Sequence, residues 1–287
     1  MTELPFRLSL PANRTTCVVF SSPHSGCDYS WDFLRRSVLD EMSIRSSEDA
    51  FVDRLFETGT GFGAPLLAAR APRAFVDLNR GADELDPAVI QGARSLTHNP
   101  RVASGLGVIP RVVSNGRAIY RGKLPLAEAR GRLNGFWHPY HERLQSLLDE
   151  SKNAFGSSIL VDCHSMPHEA VQSVPGSDNR KPHVVLGDRF GAACSPEIMD
   201  RVEVAFTRAG LRVARNAPFA GAYIAEHYGR PSRKQHAIQV EIDRSLYMDE
   251  RKIQPSRDFS GFRETLRGVI SDIADIGRLA SMPLAAE

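Results

Sequence analysis

The chain has 287 residues, 42% of them apolar, enough for the core of one large domain or two small ones. Its 36 basic and 34 acidic residues leave a net charge of +2, so there is no electrostatic footprint for nucleic acid, and no apolar stretch reaches the roughly 18 to 20 residues a membrane helix requires. Four cysteines without a C-x-x-C pair, and an N-terminus without the basic-then-apolar layout of a secretory signal, give the expectation of a soluble cytoplasmic protein.

Buried strands read as continuous apolar runs, and surface helices as apolar positions recurring at spacings of three and four. Residues 16–20 predict a strand that leads into Pro23-His24-Ser25-Gly26. Helices are expected near 30–39 and at 50–58, the second with Phe51, Val52, Leu55 and Phe56 on one face and Gly59 as its stop. Short strands are expected at 65–69 and 74–78, the latter running into Asp77-Leu78-Asn79-Arg80-Gly81. Residues 81–122 show no sustained period, and a connection this long in a compact domain is expected to be functional. A helix from about 126 to 151, bent or interrupted at Pro139, precedes strands at 158–162 and 183–186. An amphipathic helix at 196–209 stops at Gly210, and a strand at 211–214 follows. Next come the strand carrying Glu241 and a last helix at about 259–280, with Phe262, Leu266, Val269, Ile273 and Ile276 in one stripe. Strands alternating with helices predict the α/β class: a mainly parallel or mixed sheet with helices on both faces, in a single domain over residues 1–287.

Three of these strands end in groups suited to metal or acid–base chemistry, and open α/β sheets bind ligands beyond the carboxyl ends of their strands. His24, taken alone, reads first as a turn histidine bonded to backbone. His164 lies in Asp162-Cys163-His164-Ser165, where Asp162 could orient a neighbour. Together the two histidines suit a catalytic zinc site, which mixes nitrogen and oxygen donors and keeps one position for water. The third ligand is then a carboxylate, Glu48 or Asp49 in Ser46-Ser47-Glu48-Asp49. That segment also matches a capping box, and spacing alone does not choose between the readings. Asp53 reads as a surface or supporting group.

Glu241, flanked by apolar residues, is either an ion-pair partner of an arginine such as Arg244 or a carboxyl of raised pKa, poised to take a proton from a metal-activated water. Arg80, in Asn79-Arg80 after a strand, has the planar fork that grips a substrate carboxylate, and Arg111, Arg121 and Arg244 are weaker candidates for the same task. Gly221-Ala222-Tyr223 and Tyr228-Gly229 read as loops lining a pocket, with Tyr223 as a substrate contact, whereas Tyr140 and His141 read as packing groups. Cys27 and Cys163 make a thiolate amidase conceivable, but Cys163 and His164, as neighbours in a strand, point to opposite faces. A metal-binding domain without turnover would leave Glu241 and the Asn79-Arg80 pair without a shared purpose.

The order of these motifs resembles the N-formylglutamate amidohydrolase family. The pieces are Ser22-Pro23-His24-Ser25-Gly26, the run from Asp49 through Asp53 to Phe56, Val76-Asp77-Leu78-Asn79-Arg80, Pro139-Tyr140-His141, Asp162-Cys163-His164-Ser165, and Gly221-Ala222-Tyr223 through His236 and Glu241 to Leu246-Tyr247-Met248-Asp249-Glu250, spanning roughly residues 20–250. The resemblance implies a zinc-carboxypeptidase-like α/β fold and metal-dependent amide hydrolysis, with one Zn2+ or other divalent ion per chain and a place in histidine degradation. It implies His24 and His164 as histidine ligands, Asp49 rather than Glu48 as the carboxylate ligand, Glu241 as the group acting on the water, and Asn79-Arg80 as the pair gripping a substrate carboxylate. There are departures: Cys27 stands where carboxypeptidases place a glutamate, and Ser47-Glu48-Asp49 replaces an Asp-Thr-Asp segment. The expected substrate is a small molecule, the N-acyl amide of an acidic amino acid, with N-formyl-L-glutamate leading. A related N-acyl amino acid deacylase or carboxypeptidase is the alternative.

Overall fold

The computed structural model describes residues 4–94, 99–171 and 181–278. Seven strands form the main sheet: β1 Phe6–Ser9, β2 Val18–Ser22, β3 Leu66–Ala69, β4 Ser158–Met166, β5 Val184–Gly187, β6 Val213–Arg215 and β7 Gln235–Asp243. Their order is β1-β3-β2-β4-β7-β5-β6. The four central strands β3, β2, β4 and β7 run parallel, β1 joins one side antiparallel, and β5 joins β7 antiparallel with β6 parallel to it. The sheet is therefore mixed and mainly parallel, as expected.

Side chains alternate across a strand, and that alternation sorts the core into two layers. Ile159, Val161 and Cys163 of β4, with Ile238, Val240 and Ile242 of β7, pack with Met199, Val202 and Phe206 of helix Pro196–Arg208 and with Phe262, Leu266 and Val269 of helix Phe259–Ile276. Leu160 and Ala237 face the other way, into the layer of Leu144, Leu147 and Leu148 from helix His138–Phe155. Asp162 and His164 continue the Leu160 face, and Gln239 and Glu241 the Ala237 face. The register then sets Asp162 beside Gln239 and His164 beside Glu241 on neighbouring parallel strands. Four polar side chains thus share one face at the carboxyl end of the central strands.

The elements differ from expectation in a few places. Residues 74–78 form no strand, because β3 already has β1 and β2 on its two edges. The segment turns instead: the Val76 N–H donates to Pro72 and the Asp77 N–H to the Val108 carbonyl at 2.8 Å. The helix expected at 50–58 is α-helical only over Val52–Phe56 and tightens to a 3-10 helix over Glu57–Phe62, stopping at Gly63 (φ 86°) rather than Gly59. The long helix is continuous but contains a π turn over Leu133–Trp137, next to Pro139, whose ring and missing N–H break the regular ladder. The last helix ends at Ile276 before Gly277, and residues 279 and 280 lie outside the described ones. The described residues of 81–122 form a short helix, Pro100–Ala103, a 3-10 turn and the two-residue strand Ile90–Gln91, packed through Val108, Ile109 and Ile119. Among the described residues, no helix is long and apolar enough to cross a membrane.

Candidate active site

His24 lies just past β2, and the segment after it is drawn onto the sheet edge where the Asp49 N–H donates to the His24 carbonyl at 3.0 Å. Phe51, in the left-handed region at φ 68°, begins the next helix without any side-chain cap, so Asp49 is not engaged as a capping residue. Its Oδ2 lies 2.9 Å from His164 Nδ1 and 3.5 Å from His24 Nδ1, and its Oδ1 accepts from Arg244 at 3.0 Å. Glu48 turns the other way and receives two hydrogen bonds from Arg45, at 2.9 and 3.2 Å. Of the two neighbouring carboxylates, only Asp49 faces the histidines.

The far nitrogens of both imidazoles are held by buried carboxylates. His24 Nε2 is 2.7 Å from Asp77 Oδ1, and His164 Nε2 is 2.9 Å from Asp162 Oδ2. Metal-binding histidines typically donate their second N–H to a carboxylate, which fixes the tautomer and leaves the other nitrogen's lone pair for the cation. Here those other nitrogens, both Nδ1, converge on Asp49, and His24 Nδ1 is buried without a hydrogen bond. One donor atom from each of His24, Asp49 and His164 lies within 4.8 Å of the others, a spacing that could hold a metal ion. Burial favours the neutral acid at Asp49, but the hydrogen bond with His164 and the nearby His24 imidazole outweigh it and hold that carboxyl below its ordinary range. Burial likewise opposes charge on His164, and Asp162 overrides it, raising that imidazole. The donor set fits a divalent cation.

Glu241 is buried beside this cluster and makes no ion pair with Arg244, which is spent on Asp49 and Ser165. Its Oε1 accepts from Gln239 Nε2 at 2.9 Å, while Gln239 Oε1 accepts the Ala222 N–H at 3.0 Å. Burial pushes the Glu241 carboxyl up to about 7, the range a proton acceptor needs near neutral pH. His24, Asp49, His164, Glu241, Asn79 and Arg80 all open onto one cavity of about 670 Å³. Asn79 lines it with committed atoms: its Nδ2 donates to Asp162 Oδ2 at 3.2 Å, the oxygen that also holds His164 Nε2, and its Oδ1 accepts the Ile224 N–H at 2.7 Å. Arg80 donates to the Leu106 and Asn79 carbonyls, both at 2.9 Å, through Nε and Nη1, and its Nη2 has no hydrogen-bond partner among the described residues.

Two expected substrate contacts are corrected. Arg111 is not part of the cavity wall, because its guanidinium braces the loop by donating to Asp86 at 3.0 Å and to the Ala103 carbonyl at 3.2 Å. Tyr223 turns its ring away, stacked on His227 with centroids 5.0 Å apart, and the wall is formed by the stretch from Pro218 to Ala222 before it. Tyr140 and His141 are packing groups, as expected: the Tyr140 hydroxyl meets Ser21 at 2.8 Å, and His141 sits between the Leu78 carbonyl and the Tyr228 hydroxyl. Burial lowers the His141 pKa to about 3, so it is neutral. Asp53 pairs with Arg7 away from the cavity. Cys163 lies on the opposite sheet face, its thiol pushed well up by burial, and neither it nor Cys27 lines the cavity.

Several site residues were not singled out from sequence. Gln239 could have been: two residues before Glu241 in a strand, it must share that face. Arg73 stands four residues before Asp77 and donates to it at 2.9 Å, a pairing hidden by reading 74–78 as a strand. Arg101, in the aperiodic loop, gave no signal.

Comparisons with known proteins bear on this arrangement. Residues 16–248 match the family described as N-formylglutamate amidohydrolase. The N-formylglutamate deformylase of Pseudomonas aeruginosa is 31% identical over 261 residues, covering 90% of this chain and 91% of that protein. Its counterpart from Pseudomonas putida is 30% identical over 236 residues, covering 81% and 82%. The crystal structure of N-formylglutamate amidohydrolase from Ralstonia eutropha JMP134 superposes with a TM-score of 0.89 at 34% identity, covering 96% of this chain and 99% of that one.

Proposed function

Because the chain belongs to the N-formylglutamate amidohydrolase family, we propose that it hydrolyses N-formyl-L-glutamate to formate and L-glutamate with a divalent cation, zinc foremost, held by His24, Asp49 and His164. The observation that carries the cation is the pairing of both Nε2 atoms with buried carboxylates, which leaves two Nδ1 atoms and Asp49 facing one another. When bound, such a cation polarises the substrate's acyl oxygen and lowers the pKa of a water towards about 7.

The remaining work falls to the chain's own residues. Glu241, oriented by Gln239, takes the proton of the attacking water and returns it to the departing amide nitrogen, which must leave as an amine. Arg80 offers its free Nη2 to a substrate carboxylate and so fixes the formyl carbon relative to Glu241. Asn79 donates to Asp162, and Asp77 and Asp162 hold the imidazole tautomers. One sheet carries or borders all these groups, which supports reading the chain as a single amidohydrolase domain.

Metal analysis of the purified protein should give about one divalent ion per chain. Chelation should abolish release of formate from N-formyl-L-glutamate, and zinc should restore it. Full activity in metal-free protein would overturn the cation's role, and no hydrolysis by the loaded protein would overturn the substrate. N-formyl-L-alanine, which lacks the side-chain acid, should be a much poorer substrate, by at least about tenfold in kcat/KM, because a cavity arginine that would pair with that acid is left unpaired. Arg80→Lys should impair the enzyme on either substrate, since one ammonium cannot hold the Leu106 and Asn79 carbonyls and still present a donor to the carboxylate as the planar guanidinium does.

A further inference from the structure

We propose that Arg101 selects the substrate's side-chain carboxylate and so sets a preference for dicarboxylic N-acyl amino acids, an assignment that rests on the deformylase reading above. Four arginines line the cavity: Arg73, Arg80, Arg101 and Arg244. Two are already neutralised, Arg73 by Asp77 at 2.9 Å and Arg244 by Asp49 at 3.0 Å. The other two are not. Arg80 donates only to the uncharged carbonyls of Leu106 and Asn79. The Arg101 side chain makes no hydrogen bond or ion pair among the described residues, although its backbone N–H is held by Asn99 at 2.9 Å. Of the carboxylates on the same loop, Glu84 is taken up by the Gly81 N–H at 2.8 Å and by Asn99 at 2.9 Å, and Asp86 by Arg111 at 3.0 Å.

Two uncompensated guanidinium groups facing one cavity repel each other, and two carboxylates entering together relieve that repulsion. Burial first, and with it the like charges of Arg73 and Arg101, lower the Arg80 pKa from its ordinary value, against the opposing pull of Asp77 and Glu84. N-formyl-L-glutamate brings two carboxylates. The chain also fixes which arginine meets which. Arg80 adjoins Asn79, which touches His164, so it lies on the segment nearest the reacting amide and suits the α-carboxylate. Arg101 belongs to the exposed helix Pro100–Ala103 at the cavity rim, where the distal carboxylate would extend. Leu106 couples the two, donating its N–H to the Arg101 carbonyl at 2.8 Å and accepting from Arg80 Nε at 2.9 Å.

The test compares N-formyl-L-glutamate with N-formyl-L-glutamine, which matches it in length and shape but lacks the side-chain charge. The metal-loaded enzyme should prefer the acid by roughly 10- to 100-fold in kcat/KM. Arg101→Met should bring that ratio close to one, chiefly through KM for the acid, and Arg101→Lys should recover part of it because a rim position accepts a point charge. Arg80→Lys should depress both substrates together, since both carry the α-carboxylate. Preference retained in Arg101→Met, or lost in equal measure on both substrates, would overturn the assignment to Arg101. Equal rates on acid and amide in the unmodified enzyme would overturn the assignment and leave the deformylase reading standing. Failure to cleave N-formyl-L-glutamate at all would overturn both.

Discussion

Replacing Glu241 with glutamine should lower turnover of N-formyl-L-glutamate by about two to four powers of ten, the range lost with a general base, while metal content stays near that of the unmodified protein. Glutamine keeps the size of the side chain and an oxygen that can still accept from Gln239 Nε2, now 2.9 Å from Glu241 Oε1, so packing and cavity shape are preserved. It cannot accept a proton from water. The loss should therefore fall on kcat, with KM changed only a few-fold. The pH profile gives an independent readout. Glu241 acts as a carboxylate, and burial raises it from 4.5 to about 7, so kcat/KM should fall as the pH drops through a value at or below about 7, a nearby cation drawing the midpoint down. That acidic limb should be missing from the residual activity of Glu241→Gln. A drop of only a few-fold, with the limb intact, would make Glu241 a structural residue and move the proton acceptor elsewhere.

Much of this site was legible in the sequence because strand alternation and strand-end position are local signals. His24, His164 and Glu241 each close an apolar run, and the parallel pairing of β2, β4 and β7 brings those ends side by side. The choice between Glu48 and Asp49 was not legible from spacing, because it turns on Arg45 drawing Glu48 outward, a matter of side-chain direction. Asp77 and Arg73 were obscured by the apolar run at 74–78, which has the composition of a strand but follows β3, whose two edges are already taken by β1 and β2. Arg111 and Tyr223 were placed in the site by sequence neighbourhood alone. Asp86 and His227, which draw them away, come from unrelated positions. Gln239 shows the opposite case: period two placed it beside Glu241 without any structure, had the strand been read residue by residue.

Removing either histidine of the proposed metal site, His24 or His164, should have a larger effect on metal retention than removing the carboxylates behind them. Substituting an outer carboxylate such as Asp77 or Asp162 with asparagine costs about 10- to 100-fold in metal affinity for sites of this kind, because the imidazole loses its fixed tautomer but keeps its lone pair. His24→Ala and His164→Ala delete the lone pair itself, so each should exceed that range, leave the purified protein largely without metal, and abolish formate release. Asp49→Asn should resemble the histidine variants, whereas Glu48→Gln should retain its metal because Glu48 faces Arg45. Each alanine variant also strands a buried carboxylate, Asp77 or Asp162, which can destabilise a protein by about 3 to 5 kcal/mol. Thermal unfolding of the metal-free forms should be measured alongside, with His24→Gln as a variant that still offers Asp77 a hydrogen bond. Metal loss in His24→Gln at near-normal stability would tie the effect to ligation. Full metal occupancy in a folded His24 or His164 variant would remove that residue from the ligand set, and equal loss in Asp49→Asn and Glu48→Gln would remove the distinction between the two carboxylates that the geometry draws.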